Sequence, residues 1–130
     1  MALLLSLAAA RAADVQGQSI LLPAKERQVH VTYFRVPGDA PRPAALLLHG
    51  ASGFDAQIMN YDQYCSELVK HGIDAYLVYY YSDRDRESMA NGHDVFFNRY
   101  EAWARLVDDL ADNVKAAKQS NGKVGLIGFC

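Results

Sequence analysis

Ala44-Ala45-Leu46-Leu47-Leu48-His49-Gly50-Ala51-Ser52-Gly53 decides how the rest of the chain is read. Its first five residues are apolar without polar alternation. Both faces of such a strand are expected to be buried, as in a parallel sheet covered by helices. The run then breaks into a loop punctuated by Gly50 and Gly53. A second run of this kind, Ile73-Asp74-Ala75-Tyr76-Leu77-Val78-Tyr79-Tyr80-Tyr81, follows after a helix-length interval. A third, Lys123-Val124-Gly125-Leu126-Ile127-Gly128-Phe129-Cys130, brings the sequence to its last residue.

The intervals between these runs read as helices. Residues 61–71 begin with Asn60 and Gln63, an N-x-x-Q start that fits a capping box, and Gly72 is a natural residue just past a helix end. Tyr61, Tyr64, Cys65 and Leu68 then fall on one face. Residues 99–119 carry Tyr100, Trp103, Val107, Leu110, Val114 and Ala117 at steps of three and four, an expected buried stripe, with Asp108, Asp109, Asp112, Lys115 and Lys118 facing away. Residues 82–98 are polar and charged and read as a long excursion over one edge of the sheet. Upstream, Ser19-Ile20-Leu21-Leu22-Pro23 and His30-Val31-Thr32-Tyr33-Phe34-Arg35-Val36 are expected to pair as antiparallel lead-in strands before the Pro37-Gly38 turn. The order β, β, β, α, β, α, β predicts an α/β fold, a doubly wound and mostly parallel sheet with an antiparallel lead-in.

Composition narrows the function. A net charge of −2 over 130 residues leaves no basic footprint for nucleic acid. An aromatic content of 11% argues against disorder, and two cysteines, Cys65 and Cys130, are too few for a disulfide scaffold. Residues 1–13 stand apart. Their apolar run followed by Ala10-Arg11-Ala12 has the form of an export leader with a small-residue cleavage site, although no basic residue precedes Leu3. The run is too short for a stable membrane span. Secretion or delivery to a periplasm is expected, with a cytoplasmic location as the alternative.

Gly128-Phe129-Cys130 after an apolar strand is the first half of a nucleophile elbow. There a strand turns sharply into a helix, the nucleophile sits at the turn, and small residues two before and two after it let strand and helix approach. Gly128 supplies the first small residue; the second falls beyond Cys130. The other required part is a pair of backbone N–H donors for the oxyanion that develops in acyl transfer. The His49–Gly53 loop offers one, and Ala51 is the donor expected. Cys65 is expected to be a core residue. His49 is expected to brace its loop more than to move protons, and His30, His71 and His93 are expected on the surface. Asp83, Arg84, Asp85, Arg86 and Glu87 read as a solvated run. Tyr79, Tyr80 and Tyr81 are expected to pack the strand end. No Gly-x-Gly-x-x-Gly and no Walker lysine follow the first parallel strand, which weighs against a nucleotide-binding domain.

Leu46-Leu47-Leu48-His49-Gly50, the helix ending at His71-Gly72, Tyr79-Tyr80-Tyr81-Ser82-Asp83-Arg84, and Val124 through Cys130 resemble the dienelactone hydrolase family of α/β-hydrolases. The resemblance covers roughly residues 46–130 and makes residues 14–130 part of such a domain. It implies hydrolysis of small esters or lactones by a Cys or Ser nucleophile in a triad with Asp and His, here a Cys–His–Asp triad, and no cofactor; no metal site is expected. The nucleophile falls on Cys130 and the oxyanion donor on Ala51. The family's Asp and His follow the elbow in chain order and fall on no residue of this sequence. As written, the polypeptide is therefore expected to be inactive by itself; an inactive fragment or a small non-catalytic α/β binding domain is the alternative. Residues 14–130 alone are also expected to leave one face of the Ala44–Leu48 and Ile73–Tyr81 strands bare.

Overall fold

A computed structural model of the chain describes residues 15–54 and 60–129; the expected leader and Cys130 lie outside the described residues. The lead-in strands β1 (Gln18–Pro23) and β2 (Gln28–Phe34) pair antiparallel, with Ile20 opposite Val31. After them come β3 (Arg42–Leu48), α1 (Tyr61–Lys70), β4 (Asp74–Val78), α2 (Asp83–Ala90), α3 (Phe96–Lys115) and β5 (Ser120–Gly128). The sheet runs β1-β2-β4-β3-β5. β2 meets β4 antiparallel, whereas β3 lies parallel between β4 and β5. The expected doubly wound, mostly parallel sheet with an antiparallel lead-in is what forms.

Alternation along the strands sends side chains to two opposite cores. On one face Val29, Val31, Tyr33, Ala44, Leu46, Tyr76 and Val78 pack against Leu106, Val107, Leu110 and Val114 of α3. On the other, Phe34, Ala45, Leu47, Ala75 and Leu77 pack against Tyr61, Cys65 and Val69 of α1. Each Leu or Val side chain fully withdrawn from water in this way contributes about 1.5–3 kcal/mol. β3 and β4 are thus covered on both faces, which corrects the expectation of a bare face. The deficit sits instead on β5, where Leu126 and Ile127 are exposed.

Asn60 caps α1 by accepting from the Gln63 N–H, and Gly72, at a φ of 79° open to glycine, turns the chain out of the helix. Three further expectations are corrected. Tyr64 is 47% exposed, and Ser66 and Val69 face the core in its place. The stripe of α3 buries Trp103, Val107, Leu110 and Val114 as expected and adds Leu106, but Ala117 falls past the helix end and Tyr100 is 57% exposed at an open recess of about 310 Å³ beside β5. The excursion at residues 82–98 is not all irregular, since it holds α2, which has no apolar stripe and is fixed at its start by a capping box of Ser82 and Asp85.

At the end of the sheet where β3 and β4 begin, Asp74 accepts from Arg42 Nε at 3.1 Å, the Tyr33 hydroxyl at 2.8 Å and the Val36 N–H at 2.7 Å. This buried pair ties β2, β3 and β4 together on the side away from the loops described next.

Candidate active site

Parallel pairing aligns the carboxyl ends of three strands. Leu48 lies beside Val78 on one side and Gly128 on the other. The ladder continues one residue past β5, with the Phe129 N–H donating to the Leu48 carbonyl at 3.0 Å. Three segments therefore leave the sheet together: the loop beginning at His49, the tyrosines beginning at Tyr79, and Phe129, the residue before Cys130. In open α/β sheets this is the edge where ligands bind.

The loop after β3 is held at three consecutive carbonyls. His49 O accepts from the Tyr80 hydroxyl at 2.7 Å. Gly50 O takes the Gly53 N–H at 3.0 Å, with His49 Nδ1 at 2.8 Å from the same oxygen. Ala51 O accepts from the Tyr81 hydroxyl at 3.0 Å. The chain leaves this turn through Gly53 at a φ of 73°, which an L side chain resists. Ala51 itself is exposed.

His49 is 3% exposed. Its ring stacks on Tyr80 at 3.9 Å between centroids and meets the edges or faces of Tyr81 and Phe54 at 4.3 and 4.9 Å. A ring so enclosed, with one nitrogen against its own loop, braces that loop. His30, His71 and His93 are exposed, as expected.

Behind the tyrosines lies a carboxylate that the sequence reading placed in solvent. Asp85 is buried, not solvated. It accepts from the Ser82 N–H at 2.9 Å, Arg99 Nε at 2.9 Å and Trp103 Nε1 at 3.0 Å. Burial pushes its carboxyl up, but the hydrogen bonds from Ser82, Trp103 and Arg99 outweigh burial and hold it below the usual value. Trp103 in turn packs on Tyr81 at 4.9 Å and Tyr80 at 5.5 Å. Burial raises both tyrosine hydroxyls, so they stay protonated donors through the neutral range.

Cys65 is fully buried on α1, and burial followed by the nearby Asp62 pushes its thiol up to about 12. Such a thiol is not a nucleophile at neutral pH. Gly128 has open space where a Cβ would stand among the described residues. Among the described residues no His, Cys, Asp and Glu cluster is arranged to hold a metal ion.

The model of the dienelactone hydrolase family matches residues 31–130, from within β2 to Cys130. The chain belongs to the dienelactone hydrolase family. Solved structures agree on the fold. A dienelactone hydrolase-like promiscuous phosphotriesterase from metagenomic libraries superposes with a TM-score of 0.66 at 18% identity, over 90% of this chain and 50% of its own. A dienelactone hydrolase from Anabaena variabilis gives 0.65 at 14% identity, over 88% and 52%. An esterase from Pyrobaculum calidifontis gives 0.59 at 19% identity, over 87% and 35%. The chain spans about half the length of the first two. No curated protein sequence matches it.

Within this dienelactone hydrolase-family chain, the sequence-predicted Ala51 lies in the loop at the carboxyl edge of the sheet, and Cys130 lies outside the described residues. Asp85, Arg99 and the carbonyl contacts of Tyr80 and Tyr81 were missed. The only sequence signal for Asp85 was its spacing from Ser82, an S-x-x-D capping box after the tyrosine run.

Proposed function

We propose that this family member hydrolyses small esters or lactones through the thiol of Cys130, with the Ala51 N–H as an oxyanion donor. The carrying observation is the hydrogen bond from Phe129 N–H to Leu48 O, which brings the residue preceding Cys130 to the start of the pinned loop. In the proposed step the thiol proton passes to a base and sulfur forms a bond to the carbonyl carbon. The carbonyl oxygen becomes the oxyanion that donors at the loop stabilise. Collapse breaks the ester C–O bond, the proton leaves with the alcohol, and water then hydrolyses the thioester. The reading assigns the base and its orienting carboxylate to a His and an Asp following Cys130, and it calls for no cofactor or metal.

The test uses the full-length protein and a chromogenic ester. Cys130→Ala should lower kcat at least about a thousand-fold, while Cys130→Ser keeps measurable turnover. Near wild-type hydrolysis by the alanine variant would place the nucleophile elsewhere.

A further inference from the structure

Each peptide plane carries its C=O and the next residue's N–H on opposite sides. Fixing a carbonyl therefore fixes the direction of the following N–H. In the loop after β3, three successive planes are fixed in this way. The Tyr80 hydroxyl holds His49 O and so orients the Gly50 N–H. The Gly53 N–H holds Gly50 O and so orients the Ala51 N–H. The Tyr81 hydroxyl holds Ala51 O and so orients the Ser52 N–H. The Ala51 plane is thus flanked on both sides by planes that side chains from the end of β4 clamp.

From this geometry we infer that Tyr80 and Tyr81 are positioning residues for the oxyanion site, acting through the carbonyls of His49 and Ala51 and touching no reacting atom. The inference rests on the hydrolase reading for its effect on rate, but the clamp itself does not. Both phenol rings are themselves held. Tyr80 lies flat on His49, and Tyr81 is packed between His49 and Trp103, whose indole N–H is fixed by Asp85. The Arg27 guanidinium also donates to the Tyr80 carbonyl at 2.8 Å, which fixes the backbone that carries the clamp. An oxyanion donor stabilises charge only when aimed at where that charge will develop, and loosening the aim costs the transition state more than the bound ester. A clamp residue therefore affects kcat and leaves KM nearly unchanged.

Tyr80→Phe and Tyr81→Phe keep the ring contacts and remove only the hydroxyls. Each is made in the full-length protein and measured for p-nitrophenyl acetate hydrolysis and for backbone amide exchange of residues 49–53. Each variant should lose about ten-fold or more in kcat, with KM nearly unchanged, and exchange in the loop should speed up while that of β3 and β4 stays protected. Unchanged kcat with unchanged loop exchange would overturn the proposal, and so would a rise in KM with kcat retained. If the unsubstituted protein hydrolyses no ester, the hydrolase reading falls. Loop exchange then decides the clamp alone, faster exchange in the variants supporting it and unchanged exchange overturning it.

Discussion

Asp85 shows how one side chain can organise a site it does not enter. Its two oxygens accept from Ser82, Arg99 and Trp103, and through Trp103 it backs the tyrosines that hold the 49–53 loop. Removing it strands a buried indole N–H and weakens the start of α2. Asp85→Ala in the full-length protein should cost about 2–4 kcal/mol in urea unfolding, since hydrogen bonds to a charged group contribute about 1.5–3 kcal/mol each. The sign with pH follows from its lowered carboxyl. Stability from a depressed acid is fully present above the unfolded value, near 3.8, and is lost as pH falls through the lower folded value. The gap between wild type and Asp85→Ala should therefore be widest at neutral pH and shrink only in strong acid; a gap that grows on acidification would contradict this. The capping-box spacing of Ser82 and Asp85 stands in the sequence, although the run reads as solvated. The burial was not legible, because Arg99 and Trp103 reach Asp85 only after α3 docks.

Among the elements, β3 and β4 were legible because unbroken apolar runs admit few other placements. α3 was legible as a helix and in most of its buried stripe, Trp103, Val107, Leu110 and Val114. Tyr100 and Trp103 both fit the three-four spacing, and only docking against the sheet shows that Leu106 replaces Tyr100 in the core. α2 was illegible by periodicity, since Asp83-Arg84-Asp85-Arg86-Glu87-Ser88-Met89-Ala90 has no apolar face. β5 carries the liability. Among the described residues it pairs with β3 alone, and it shows Leu126 and Ile127 to solvent. A polypeptide of residues 14–130 should fold, since β3 and β4 are covered on both faces, yet associate through this apolar edge. Sedimentation velocity should show concentration-dependent association that Leu126→Lys suppresses. A monomer at every concentration, or association untouched by the lysine, would locate the sticky surface elsewhere.

For the molecule as a whole, two proposals concern segments outside the described residues. The first thirteen residues motivate export, with cleavage near Ala12 or Ala13. Mass spectrometry of the mature N-terminus from the native host should find that cut, and an intact Met1 in a cytoplasmic fraction would contradict it. Among the described residues no helix is long and apolar enough to cross a membrane. The other proposal is the central one, that the family's chemistry runs through Cys130 while the other thiol, Cys65, stays sealed on the core face of α1. Trapping the intermediate tests it most directly. The full-length protein is mixed with p-nitrophenyl acetate, quenched in acid at early times and digested for peptide mass spectrometry. The Cys130 peptide should gain the mass of one acetyl group transiently, and Cys130→Ala should gain none while Cys65→Ala behaves as wild type. Acetyl appearing on another residue at a catalytically competent rate, with Cys130 unmodified throughout turnover, would contradict the assignment.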